Sequence, residues 1–150
     1  MQLAVSLAAD AVRQRTGGPF GAVIVQHDQI IGRGQNRVLS LCDPTAHAEV
    51  LAIRDACNTL GAFELTDCEL YTSCEPCPMC LGAIHWARLK HIYYAASRQD
   101  AAAIGFDDEL IYQEFAKPLQ HRHIGMTAMA PAEALAVFRA WQSLDDKQLY

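Results

Sequence analysis

Two short stretches carry the residues best suited to chemistry, His47-Ala48-Glu49 and Pro76-Cys77-Pro78-Met79-Cys80. The first sets an imidazole and a carboxylate two positions apart. The second sets two thiols three positions apart, framed by prolines. One imidazole and two thiolates make a three-ligand zinc site. Structural zinc sites usually close with four protein ligands, whereas catalytic sites keep one position open for water. Zinc lowers the pKa of a water in that position to about 7, so hydroxide becomes available at neutral pH. Glu49 is left over beside the metal. A carboxylate placed next to such a water, without binding the metal, can take its proton and deliver it elsewhere.

Other readings of these residues stay open at this level. Cys74 makes a second C-x-x-C with Cys77. His47, Cys74, Cys77 and Cys80 could therefore close a structural zinc site, the centre of a binding module with no turnover. That arrangement gives Glu49 no task and needs Cys74, on a turn before Pro76, to point inward. A thioredoxin-like redox pair would use neither His47 nor Glu49.

The 150 residues are expected to form a single domain, 1–150. About half of them are apolar, enough for a core without a membrane span, and no stretch approaches the roughly 20 apolar residues that a span needs. The formal charge of −5 argues against a broad basic face for nucleic acid. Met1 to Arg15 lacks a basic start, and Asp10 interrupts its apolar run, so it does not read as a signal peptide. A reducing cytoplasm is the expected compartment, with Cys77 and Cys80 used for metal rather than for disulfides. Cys42, Cys57 and Cys68 then read as small buried or half-buried thiols.

The elements that must position the site follow from spacing. Leu3, Leu7 and Ala11, with Ala4, Ala8 and Val12 beside them, predict a helix that ends before Gly17. Phe20 to Val25 and Ile30 to Gln35 predict a hairpin turning at His27-Asp28-Gln29. Gly32 and Gly34 do not have phosphate-loop spacing and are expected to serve a strand edge or a bulge. Asn36 to Pro44 reads as a loop. Thr45 is placed to cap a helix running to about Leu60, where Gly61 stops it. Cys68 to Thr72 predicts a third strand, and a helix follows from about Cys77 to Ala87, its start fixed by Pro78. His91 to Ala96 predicts a fourth strand and Ile124 to Met129 a fifth. Asp107 to Phe115 and Pro131 to Leu144 read as helices, the latter with Leu135, Phe138 and Trp141 on one face. Strands alternating with helices imply a three-layer α/β/α sandwich around a central mixed sheet of about five strands. Both ligand stretches then fall at helix N-termini, where unpaired N–H groups favour thiolate and carboxylate charge.

The pairing of H-x-E with P-C-x-x-C is a signature of zinc nucleobase deaminases. Around it, Gly18-Pro19-Phe20-Gly21-Ala22, Gly34-Gln35-Asn36, Asp43-Pro44-Thr45-Ala46 and Tyr71-Thr72-Ser73-Cys74-Glu75 extend the likeness, as does Leu81-Gly82-Ala83-Ile84. The chain resembles the cytidine and deoxycytidylate deaminase superfamily. Tyr94-Ala95-Ala96, Gly105-Phe106-Asp107-Asp108 and the closing Tyr150 make it most similar to the bacterial guanine deaminase branch. The resemblance implies a cytidine deaminase-like fold, one zinc per chain, and hydrolysis of guanine to xanthine and ammonia. It implies His47, Cys77 and Cys80 as metal ligands and Glu49 as the proton shuttle, with Asp108 accepting from the edge of the base that carries N1–H and the amine. Asn36, Phe20, Ala48 and Tyr150 would contact the base: Asn36 through its donor and acceptor, Phe20 by stacking, Tyr150 as cover. It also implies a homodimer whose C-terminal segments, including 145–150, are exchanged to close the site.

Each assignment has a plainer counterpart. Phe20 could be a core anchor, Asp108 a helix cap, Tyr150 a loose end and Asn36 a brace for its loop. Trp86 reads as core-facing or wall-forming, and His85, His91, His121 and His123 as surface or satisfied histidines. A deaminase of cytosine or of an amino-triazine such as ammeline would fit the same zinc stretch. So would a tRNA adenosine deaminase, although that function calls for a positive surface.

Overall fold

The computed structural model describes residues 1–129 and 131–149. It divides into two compact units, Met1–Glu109 and Leu110–Tyr150. The first carries the sheet. α1 (Gln2–Arg13) leads into β1 (Gly21–Gln26) and β2 (Gln29–Gln35), followed by the short α2 (Val38–Leu41) and by α3 (Ala48–Leu60). β3 (Cys68–Cys74), α4 (Pro78–Trp86), β4 (His91–Ala96) and α5 (Arg98–Ala103) complete it.

The strands lie in the order β2-β1-β3-β4. β1 is antiparallel to β2 and to β3, and β3 is parallel to β4, so the sheet is mixed. The β1–β2 hairpin turns on His27 and Asp28, both left-handed at φ 48° and 63°. A two-residue turn of that hand matches the right-handed twist of the strands it joins. Ile24 pairs with Gly32 and Val25 with Ile30, which leaves Ile31 as a bulge.

Gly32 and Gly34 thus lie on the edge strand β2, one of the two places expected of them, and not at the bulge. They are the floor on which α3 lies. A Cβ at Gly34 would overlap the Ala48 carbonyl oxygen, and one at Gly32 would overlap that of Ala52. Side chains alternate across a strand, so Gly21, paired with Gln35, faces the other side. A Cβ there would overlap the Ala4 carbonyl oxygen of α1. Helices thus cover both faces in a three-layer α/β/α arrangement. Ala22, Ile24, Leu70, Ala52, Ala56 and Ile84 join in one core on the α3 side. β3 alternates as a strand with one buried face should, burying Cys68, Leu70, Thr72 and Cys74.

The second unit follows Glu109, the first residue of α6 (Glu109–Ala116). A single 3₁₀ turn covers Leu119–His121, and α7 spans Ala132–Gln142 with Pro131 at its N-cap. The two C-terminal helices form where the spacing placed them, and α7 leaves Leu135, Phe138 and Trp141 exposed. The expected fifth strand does not form: residues 124–129 pair with no neighbour, and the sheet of the described residues has four strands. A β-prone run becomes a strand only where another strand completes its hydrogen bonds.

Smaller expectations are corrected too. The loop after β2 contains α2, begun where Asn36 Oδ1 accepts the Val38 N–H. Trp86 is 67% exposed rather than core-facing, and Cys42 is exposed rather than packed. His85, His91, His121 and His123 are exposed, as expected.

Candidate active site

The residue at the N-cap of α3 is His47, not Thr45. Thr45 is held by Asp43 instead, donating its N–H and its hydroxyl to Asp43 Oδ1 at 2.8 and 2.7 Å. Cys77 holds the matching place on α4, with Pro78 following at the first helical position. Both caps have extended backbones, and neither side chain makes a capping hydrogen bond. Each is free to turn toward the other. Nδ1 of His47 lies 3.6 Å from Cys77 Sγ and 3.5 Å from Cys80 Sγ.

Those spacings suit a tetrahedral zinc ion. With Zn–N near 2.0–2.1 Å and Zn–S near 2.3 Å, adjacent nitrogen and sulfur ligands stand about 3.6 Å apart. Among the described residues the donor group is His47, Cys77 and Cys80, with no fourth protein ligand. Its electrostatics point the same way. The Cys77 thiol is pulled down to about 4, first by the hydrogen bond from Cys80 and, against burial, by His47. Cys80 is pushed up by that same bond, by burial and by Glu49. The hydrogen bond with Cys77 raises His47. One thiolate suits this cluster unaided, and a second beside it calls for a divalent cation. The residues present fit zinc.

Cys74 lies outside the group. Its thiol donates to the Ser97 carbonyl at 3.6 Å, and burial pushes its pKa up to about 11. A neutral thiol turned toward Ser97 does not close the site. Glu49 also stays outside the ligands, in the first turn of α3 and 5% exposed. Burial raises its carboxyl, and the Cys77 thiolate adds to that, while His47 and its hydrogen bonds pull the other way. The result is a buried acid beside the metal donors, placed to hold or release a proton.

Asn36 is 3% exposed. Its Oδ1 accepts the Gly18 N–H and the Val38 N–H, both at 3.2 Å. Bracing the loop and facing a ligand are thus divided between the two ends of one amide, and only the NH2 end is left to donate. Phe20 is half-buried against the core and meets Phe106 edge to face, with centroids 5.0 Å apart. Ala48 is fully buried in the main core. Asp108 is half-buried, and burial raises it, followed by the Cys77 thiolate, while Arg98 lowers it. The N–H of Glu109 goes to Asp107 Oδ1 at 3.0 Å, so Asp107 does the local bonding that a capping role would have given Asp108. Tyr150 lies outside the described residues.

Three contributors escaped the sequence reading. Phe106 stood in a quoted motif without a role, and its pairing with Phe20 is long-range. Glu75 Oε2 accepts the Arg98 N–H at 3.1 Å, and Arg98 in turn pairs with Glu109 at 3.1 Å. These contacts tie the turn before Cys77 to the residue after Asp108. No spacing rule links positions so far apart.

The family model for the cytidine and deoxycytidylate deaminase zinc-binding region matches residues 1–96. The guanine deaminase of Bacillus subtilis (strain 168) is 55% identical over 150 residues, covering 100% of this chain and 96% of that protein. The X-ray structure of guanine deaminase from Bacillus subtilis superposes with a TM-score of 0.96 over 99% of this chain and 95% of that one, also at 55% identity. A tRNA-specific adenosine deaminase of Agrobacterium fabrum is 37% identical, covering 97% of this chain and 95% of that protein. A structure of guanine deaminase from Nitrosomonas europaea shares 36% identity at a TM-score of 0.68, covering 71% of this chain and 62% of that one.

Proposed function

The chain belongs to the cytidine and deoxycytidylate deaminase family, and from that premise we propose that it hydrolyses guanine to xanthine and ammonia. The observation that carries the reading is a zinc-ligand cluster of three residues with Glu49 buried beside it and outside it. The full-length likeness to the Bacillus enzyme supports guanine over the other bases.

His47, Cys77 and Cys80 would hold a zinc ion, which would supply the Lewis acidity that makes water nucleophilic near neutral pH. Glu49 takes a proton from the attacking water as the new C–O bond forms at C2 of the base. It delivers the proton to the ring nitrogen N3, then takes the proton of the new C2 hydroxyl and passes it to the amine, so that the C2 carbonyl forms as the C2–N bond breaks and ammonia leaves. A carboxyl raised by burial suits both halves of that duty, since it can hold the proton between them. Asp108 accepts from N1–H and the amine, the donor edge of guanine. Asn36 donates to an acceptor elsewhere on the ring. Phe20, braced by Phe106, forms one wall.

The remainder of the reading concerns assembly. The protein is a homodimer in which the C-terminal segments are exchanged, with 145–150 and Tyr150 closing the site. The exposed Leu135, Phe138 and Trp141 of α7 support a partner surface there. No described helix is long and apolar enough to cross a membrane. All the cysteines are unpaired, which supports a reducing cytoplasm as the compartment.

The test is ammonia release by the purified, zinc-counted protein from guanine beside adenine, cytosine, cytidine, ammeline and a tRNA anticodon stem. Release chiefly from guanine upholds the proposal. Release chiefly from the tRNA or from another base moves the substrate, and silence across the panel contradicts the enzyme reading.

A further inference from the structure

We propose that Gly17 is a positioning residue for Asn36, holding its amide as a donor that selects bases with an acceptor at that point. The inference rests on Asn36 as a base contact and adds what fixes its orientation. The backbone of Asn36 is pinned on both sides: its N–H donates to the Phe20 carbonyl at 2.9 Å, and its carbonyl accepts from Thr16 Oγ1 at 2.9 Å. The side chain is pinned by the N–H groups of Gly18 and Val38, which converge on Oδ1. Two donors aimed at one end of an amide require oxygen there and turn the NH2 the other way. That NH2 has no hydrogen-bond partner among the described residues. It is not sealed in either, because the one sealed, unpartnered side-chain polar atom among them is Thr72 Oγ1. A donor held open in a nearly buried amide demands an acceptor from whatever binds. On guanine that means O6, N7 or N3. A base offering an amine at that point would set donor against donor and leave both desolvated without a partner.

Gly17 makes this arrangement possible by having no side chain. A Cβ there would overlap Asn36 Oδ1, and would stand 2.9 Å from Asn36 Cγ and 3.0 Å from its carbonyl oxygen. The backbone of Gly17 is not left-handed, unlike that of Gly61 and Gly105. Alanine at 17 is therefore conformationally allowed, and what it tests is space. The amide would have to rotate away, freeing both N–H groups and losing its aim.

The experiment is a double-mutant cycle of Gly17→Ala and Asn36→Ala, with zinc content and kcat/KM for guanine as readouts. Each single change should lower kcat/KM by about tenfold or more with zinc retained. With Asn36 already removed, Gly17→Ala should cost less than about twofold, because the atom it displaces is gone. Asn36→Asp serves as a second probe. It keeps an oxygen for Gly18 and Val38 but offers no donor, and should lose guanine turnover as Asn36→Ala does. Losses that multiply in the double variant would make Gly17 a structural residue only and overturn the proposal. Wild-type turnover by Gly17→Ala, with Asn36→Ala impaired, would overturn the positioning role alone. Wild-type turnover by Asn36→Ala would remove the base contact and the inference built on it.

Discussion

In α1, Ala4, Ala8 and Ala11 recur at helical spacing and are buried against the sheet. In α7, Leu135, Phe138 and Trp141 recur at helical spacing and are 51%, 73% and 45% exposed. Both stripes are apolar, and they meet opposite surroundings. The first lies on a sheet whose glycines let helices approach to backbone contact, and it finishes its core within Met1–Glu109. That unit also contains the zinc ligands, Glu49, Asn36 and Asp108. The second stripe presents large side chains that stay exposed among the described residues. A helix of this kind either serves an interface or remains a liability in solution. The difference separates a chemical apparatus held by packing from a terminal helix whose apolar stripe is exposed, the stripe on which the proposed exchange between protomers relies.

The comparison breaks first if the apparatus is not where the contacts place it. Asp108→Asn should lower kcat/KM for guanine by roughly 10–100-fold while zinc stays bound, since a hydrogen bond to a charged group contributes about 1.5–3 kcal/mol. Steady-state kinetics beside metal analysis would show it, and an unchanged kcat/KM would remove Asp108 from the site. At α7, Phe138→Asp should weaken self-association by about tenfold or more, because burying an aromatic side chain is worth about 1.5–3 kcal/mol. Sedimentation across a concentration series would reveal that shift. A monomeric wild-type protein would end the exchanged-segment reading. The smallest effect belongs to Cys74→Ser. Its thiol bonds Ser97 rather than the metal group, so zinc content should hold and turnover should stay within about twofold. Zinc lost from that variant would mean a closed, four-ligand site.

What could be read ahead of the coordinates was local. Pro78 and the residues around it placed the start of α4, and His47-Ala48-Glu49 placed the metal ligand and the carboxylate in one helical turn. The cap went to His47 because Asp43 engages Thr45, a contact two residues away that no propensity scale records. The fifth strand failed because pairing is a property of two segments, and Ile124–Met129 shows only one. Phe106 against Phe20, and Glu75 with Arg98, join positions brought together by the fold alone. Gly32 and Gly34 looked like edge punctuation. Their purpose appears only once the carbonyl oxygens of α3 are seen where a Cβ would stand.

The most direct test of the account is zinc stoichiometry and ammonia release from guanine by Glu49→Gln. The change keeps the size of the side chain and removes its ability to carry a proton. If Glu49 is the unligated shuttle, the variant retains one zinc per chain and loses roughly 10²–10⁴-fold in kcat, the usual contribution of a general acid–base group. Zinc lost with the carboxylate would make Glu49 a ligand, and full turnover would leave it with no part in the reaction; either would contradict the account.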